Sequence, residues 1–446
     1  MKKIAIVYIA HDGFTSLYTG VGTVARDFLL SFPEVSRKLK KEYKDIQLDL
    51  FATTIKYSKE CFGYSEEIKG NTERLTKLYK NIHLVELING SAGTKSYGSI
   101  DVWKNACISA ATFLYSLTVL EKYDSILAVC VDTPFAQVPN YFFDQYNVDF
   151  IDFVWLPQST VLIHKIDSAI GISSAEENYI KERYEWEKAV IDQSKTNNKV
   201  KIGSVGTFMQ KHLLEAYKAD KTTLVNLQNG LYFKRLSAYK KTQEEIHNLL
   251  AKLNIPTDRP LLYSFGRAES YKGLDLVLKN SIELIKKKNF FVFILASPYS
   301  MEDDYVVKLK KLAENYPLDI KIIFGLDFLT PHYIMQWKNT KILALLSRAE
   351  PFGLIPVESR FYNNKNLSLL TTKADGFLYQ IDQGTDGFMV NLEDSSIKSI
   401  LLKISNLSKK EKGRLATNGH RRVMKDYNQI NINFNFLHTY IKKYIQ

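Results

Sequence analysis

The run Ile4-Ala5-Ile6-Val7-Tyr8-Ile9 leads into a polar, glycine-bearing loop from His11 to Gly22, then into helically spaced apolar residues from Thr23 to Phe32. A short β-branched run, a glycine loop and a helix together form the opening of an α/β unit. The same pattern returns at Leu261-Leu262-Tyr263-Ser264-Phe265-Gly266, with a helical stretch from Leu274 onward. Around the first copy lie strand-like runs at Ile46–Phe51, Ile82–Leu87, Ser125–Val131 and Asp149–Trp155, with a helical stretch at Ile100–Glu121. Around the second lie Phe290–Ala296, Ile320–Phe324, Lys341–Leu346 and Leu367–Thr371. Strands that alternate with helices predict mostly parallel sheets covered on both faces. Ser173 to Lys199 reads as a charged helix, and the polar stretch from Tyr232 to Pro260 joins the two series.

The chain has 446 residues, too many for one hydrophobic core, so two domains are expected. A hydrophobic fraction of 45% with 24% charged residues is that of a folded globular protein. No apolar run approaches the ~20 residues of a membrane-spanning helix, and Met1 to Gly13 lacks the apolar core of a secretory leader. Cys61, Cys107 and Cys130 are too scattered for a disulfide framework or a zinc cage. A cytoplasmic protein without a structural metal is expected. The formal charge of +12 comes from dispersed lysines, the densest groups being Lys38, Lys40 and Lys41, then Lys286 to Lys288. That pattern gives a solvated surface with room for peripheral contact with an anionic membrane face, and excludes nucleic acid as the expected partner.

Three segments carry chemistry. Gly20-Val21-Gly22-Thr23-Val24-Ala25 fits G-x-G-x-x-A, but lies about ten residues past its strand, too far for a dinucleotide fingerprint. Its glycines can instead let backbone N–H groups at a helix start approach a phosphate or sugar. The second segment runs from Ser264 to Asp275. Arg267 and Lys272, five positions apart, sit in the loop beyond a strand, where a guanidinium fork and an ammonium suit a diphosphate. Arg348-Ala349-Glu350-Pro351-Phe352-Gly353-Leu354-Ile355-Pro356-Val357-Glu358 is the third. Two carboxylates bracket an apolar glycine turn that opens a helix, a combination able to accept sugar hydroxyls and to donate free N–H groups.

The tandem GRAESYKGLDLVL (266–278) and EPFGLIPVE (350–358), followed by KADGFLYQIDQGTDGFMV (373–390), resembles glycosyltransferase family 4. These are retaining nucleotide-sugar enzymes of the GT-B fold, in which two Rossmann-like domains face each other across a central cleft. TGVGTVARDF (19–28) resembles their N-terminal glycine loop, and Leu227-Gln228-Asn229-Gly230-Leu231 resembles the segment ahead of their second domain. The resemblance implies an acceptor-side domain over 1–235, a nucleotide-sugar domain over 236–428, and a C-terminal helix over 429–446 that packs back on the first. Arg267 and Lys272 would hold the donor diphosphate, helped by Gly20 and Gly22. Glu350 and the Phe352-Gly353-Leu354 turn would hold the donor sugar, and Glu358 the ribose. The implied catalytic set is Arg267, Lys272 and Glu350, with His164 as a further candidate.

Two positions depart from the family pattern. Tyr379 stands where a glutamate is usual, and Pro157-Gln158-Ser159 replaces a motif that often carries a histidine. This leaves His164, Gln158 and His11 as alternatives for that role. The implied activity is transfer from a nucleoside diphosphate sugar, UDP-linked before GDP-linked, to a hydroxyl on a small molecule, glycan or lipid-linked acceptor. No D-x-D metal handle is present, so no metal or other cofactor is expected. Rival readings are a non-catalytic glycosyltransferase-like subunit, a GT-B epimerase or phosphorylase, and an NAD-dependent oxidoreductase built on the first glycine loop.

Overall fold

The computed structural model describes residues 1–61, 63–90, 99–120, 123–165, 174–325 and 327–445, without the side chains of 164, 165, 174–176 and 445. It divides into two compact units. One comprises Met1–Tyr232 with Asn428–Gln446, the other Phe233–Tyr427.

The first unit holds seven strands: β1 (Lys2–Ile9), β2 (Ile46–Ile55), β3 (Ile82–Leu87), β4 (Ser125–Val131), β5 (Ile151–Leu156), β6 (Val200–Ser204) and β7 (Leu224–Asn226). They form one parallel sheet in the order β3-β2-β1-β4-β5-β6-β7. The second unit holds β8 (Leu261–Arg267), β9 (Phe291–Ser297), β10 (Ile320–Phe324), β11 (Thr340–Leu345), β12 (Ser368–Thr372) and β13 (Phe388–Val390). Its parallel sheet runs β10-β9-β8-β11-β12-β13. Both orders are Rossmann-like, the chain turning back beside its first strand to build the other half of the sheet.

Side-chain alternation shows why the second sheet must be covered twice. Along β9, Val292, Ile294 and Ala296 enter one buried cluster, while Phe291, Phe293 and Leu295 enter another on the opposite face. Ile342 and Ala344 of β11 share the first cluster, Leu343 and Leu345 the second. A strand points successive side chains to opposite faces, so an unbroken apolar run needs a helical layer on each side. One such helix, Gln243–Lys252, opens with a capping box in which Thr242 and Glu245 satisfy each other's backbone N–H groups.

Sequence patterning gives bounds for ten strands and reads unbounded strand-like pieces between Lys199 and Asn229-Gly230; the structure makes these β6 and β7 and adds β13. The last two have three residues each, too few for periodicity to register. The first helix also differs from expectation. It runs from Gly20 to Glu42, passing straight through Pro33 instead of ending at Phe32. Beyond the proline, Val35, Ser36 and Leu39 are buried. The helix lies against the C-terminal helix Gln429–Ile445, where Asn433 Nδ2 donates to Ser31 Oγ at 2.9 Å. Tertiary packing there outweighs the backbone bond that proline removes. Tyr440 ties the same C-terminal helix to β4, its hydroxyl donating to the Ile126 carbonyl at 3.0 Å. Among the described residues no helix is long and apolar enough to cross a membrane.

Candidate functional site

In the second unit the order of strands reverses between β8 and β11, which pair directly. Loops leaving the carboxyl ends of neighbouring strands at such a point form the natural ligand crevice of an open α/β sheet. The second and third sequence motifs are those two loops.

Lys272 and Glu350 meet there, Nζ to Oε2 at 2.7 Å, although they lie far apart in sequence. The Lys272 ammonium also sits 4.9 Å from the centre of the Tyr271 ring. Arg267 lies between two tyrosines, with its guanidinium carbon 5.3 Å from the Tyr271 ring and 5.8 Å from the Tyr299 ring. Its Nη1 donates to the Tyr299 hydroxyl at 2.6 Å, and its Nε pairs with Glu269 at 3.2 Å. Its Nη2 donates to the Tyr271 hydroxyl, so two rings, their hydroxyls and one carboxylate hold the planar cation in place.

An ion cluster around the buried Asp275 carboxylate fastens the two loops together. Arg348 reaches both carboxylate oxygens of Asp275 at 3.2 Å, and its backbone N–H donates to the Tyr271 carbonyl at 2.6 Å. Asp275 also accepts from Lys308 at 2.8 Å and from the Tyr305 hydroxyl at 2.9 Å. Burial works against the ionised carboxyl, but hydrogen bonds from Arg348, Lys308 and Tyr305 outweigh it and hold the group down at about 2. Between these anchors Gly273 adopts φ +63°, and a Cβ there would collide with the Leu346 carbonyl. The loop after β8 therefore needs glycine at this position both for its turn and for the close backbone approach.

The third motif is braced from behind by the segment that follows β12. Glu350 N–H donates to Asp375 Oδ2 at 3.0 Å, Gly376 N–H donates to the Glu350 carbonyl at 2.8 Å, and Gln380 Nε2 donates to the Gly353 carbonyl at 3.0 Å. Gly353 caps the helix Leu354–Phe361. The N–H groups of Leu354 and Ile355 have no partner within that helix, and Pro356 has none to give. Glu358 is 7% exposed, with Oε1 3.6 Å from Arg235 Nη2. Burial pushes its carboxyl upward and Arg235 works against that shift.

The remaining sequence candidates lie in the first unit. Gly20 and Gly22 are at the N-terminus of the helix Gly20–Glu42. Asp12 fills the space in front of Gly22, where a Cβ would collide with its carboxylate. That carboxylate accepts from the N–H groups of Gly13, Tyr18 and Thr19 and from the hydroxyls of Ser16 and Thr19, while Gly22 N–H donates to Thr19 Oγ1 at 3.1 Å. His11 is buried beside Asp12, and burial lowers its pKa against the opposing pull of the Asp12 carboxylate. Gln158 is buried at the end of β5, where Asn229 Nδ2 donates to its Oε1 at 2.7 Å. His164 lies on the short helix Val161–Lys165, and its side chain is outside the described residues.

Lys272 and Glu350 are thus brought into contact, while Arg267, expected in the loop, is the last residue of β8. Sequence reasoning did not find Arg235, Tyr299, Asp375 or Gln380. Each acts through tertiary contact, and only Gln380 and Asp375 stand inside a motif that could have drawn attention to them.

Residues 245–427 match the family model described as "Glycosyl transferases group 1". A granule-bound starch synthase 1 from Triticum aestivum is 27% identical over 142 residues, which make up 31% of this chain and 22% of that protein. The chain's match therefore spans about a fifth of that relative's length. Among solved structures, a sucrose-phosphate synthase from Thermosynechococcus elongatus superposes with a TM-score of 0.71 at 14% identity, covering 100% of both chains. The Anabaena protein HepE in complex with UDP-glucose superposes with a TM-score of 0.61 at 14% identity, covering 98% of this chain and 99% of its own. Residues 245–427 therefore resemble the glycosyl transferases group 1 family, in a chain with the two-sheet GT-B fold.

Proposed function

We propose that this protein is a retaining glycosyltransferase that moves a sugar from a nucleoside diphosphate donor to an acceptor hydroxyl. The observation that carries the reading is the Lys272–Glu350 contact, which unites two motifs at the strand-order reversal of the second sheet. Arg267 and Lys272 hold the donor diphosphate and stabilise the negative charge that grows on it as the glycosidic bond breaks. Glu350 and the N–H groups of the Phe352–Leu354 turn orient the sugar, while Glu358 accepts hydrogen bonds from the ribose hydroxyls. The leaving phosphate helps to deprotonate the acceptor hydroxyl on the same face of the sugar, so configuration is retained without a protein nucleophile. A UDP-sugar is the favoured donor, supported by the UDP-glucose bound to the similarly folded HepE, with a GDP-sugar next. Screening UDP-, GDP-, ADP- and dTDP-sugars for thermal stabilisation and then for transfer tests the reading. A panel with no stabilising nucleotide removes the donor site.

Activity is expected to survive EDTA, since Arg267 and Lys272 can take the place of a metal at the proposed diphosphate. Loss of activity on chelation with recovery on adding Mn²⁺ would refute this. Glu358→Gln is expected to raise the donor KM by about 1–2 kcal/mol, roughly five- to thirtyfold, and to leave kcat near wild type. Ribose contacts do not change during reaction, so a collapsed kcat at normal KM would move Glu358 into the chemistry instead.

A further inference from the structure

Glu358 is almost fully buried on the helix Leu354–Phe361, and burying an unpaired carboxylate is costly. Its ion-pair partner comes from a distant segment. Arg235 lies on the helix Phe233–Ala238, the first element of the second unit, and both side chains of the pair are 9% exposed. Phe233 of that short helix stacks on Phe361 with ring centres 5.3 Å apart, which fixes the approach of the segment. Arg235 also lies over the Tyr239 ring at 5.7 Å, so its guanidinium is held from a second side.

The other ionisable groups around the pair are Tyr239, Tyr362, His332 and Tyr333, with Lys240 lying over the Phe361 ring. The Tyr362 hydroxyl and His332 Nδ1 hydrogen-bond each other at 3.0 Å, and Tyr239 packs on the His332 ring. Of these groups, Arg235 is the cation paired with Glu358. The pair uses Oε1 of the carboxylate. Arg235 belongs to none of the donor-binding motifs.

We propose that Arg235 is a positioning residue for nucleotide recognition: by pairing with Oε1 it orients the Glu358 carboxylate so that Oε2 meets the donor ribose. This rests on the reading of Glu358 as the ribose ligand. Losing the guanidinium removes the group that opposes the upward push of burial, so the carboxyl takes up a proton more readily, which replaces a strong acceptor by a weaker one.

Calorimetric titration with UDP, with ADP and GDP in parallel, from about pH 6 to about pH 8.5 tests the proposal. Wild type is expected to bind UDP with nearly constant affinity over this range. R235M is expected to bind about tenfold more weakly near pH 7 and to recover as pH rises. R235K restores the charge and is expected to stay within about threefold of wild type with a flat profile, which keeps the test open if R235M does not fold. The double variant R235M/E358Q is expected to bind like E358Q alone. A pH-independent loss in R235M, or the full product of both losses in the double variant, would mean that Arg235 acts independently of Glu358 and would overturn the proposal. E358Q binding UDP as wild type does would overturn the ribose reading itself, and no result with the Arg235 variants alone produces that outcome.

Discussion

Lys272→Ala is expected to lower kcat by roughly 30- to 1,000-fold, about 2–4 kcal/mol of transition-state stabilisation, and to weaken donor binding as well. Diphosphate charge increases as the sugar departs, so a fixed ammonium is worth more in the transition state than in the ground state. The structure sharpens this expectation, because Lys272 is held by Glu350 at 2.7 Å and by the Tyr271 ring. A cation already fixed in place stabilises new charge without having to reorganise. Its removal also leaves Glu350 without this partner, so the melting temperature must be followed in parallel. Lys272→Arg keeps the charge but not the compact ammonium, and is expected to fall between the two. A surface lysine would make Lys272→Ala silent within about 0.5 kcal/mol, and that result with unchanged donor KM would remove Lys272 from the site.

Asp275→Ala is expected to destabilise the second unit by about 2–4 kcal/mol. Asp275 is 1% exposed and takes hydrogen bonds from Arg348, Lys308 and Tyr305. Its loss leaves Arg348 beside the carbonyl of Ser270 with no carboxylate to neutralise it. Lys308 is partly solvated and can turn to water, which keeps the figure below that of a wholly buried triad. The variant is also expected to lose activity, since Asp275 and Arg348 fasten the loop carrying Lys272 to the loop carrying Glu350.

Asp275→Asn separates charge from shape through its pH dependence. The carboxyl is held at about 2, below its usual 3.8, so the folded state binds its proton less readily than the unfolded state. Its contribution to stability is complete above about pH 4 and is lost as pH falls toward 2. Wild type is therefore expected to lose stability more steeply than Asp275→Asn across that window. Parallel acid-unfolding curves, or a melting temperature unchanged at neutral pH, would show that the cluster does not clamp the loops.

The resemblance between EPFGLIPVE and a donor-sugar motif is visible in the chain because the motif is local: turn, cap and helix start follow each other in sequence. Arg235 is not visible in this way. It lies in a polar stretch more than a hundred residues before its partner, and nothing in its neighbours distinguishes it from a solvated arginine. Asp375 and Gln380 stand within a quoted motif, yet which carbonyl or N–H each would reach depends on how the segment after β12 folds over the Glu350 turn. Asp12 makes the opposite point about Gly22. The sequence shows a glycine at a helix start, a feature that suits any anion, and the fold shows the chain's own carboxylate lying against it.

The sequence by itself determined the alternation of strands and helices, and hence two parallel sheets, because side-chain periodicity and glycine punctuation are local consequences of backbone geometry. It also determined which residue types stand at the carboxyl ends of β8 and β11. Only the tertiary structure decided that Lys272 pairs with Glu350, that Asp275 pairs with Arg348 and Lys308, and that the first helix continues through Pro33. Those outcomes turn on which elements lie side by side. Sheet order and helix packing are set by burial summed over the whole unit, and no window of sequence contains that sum.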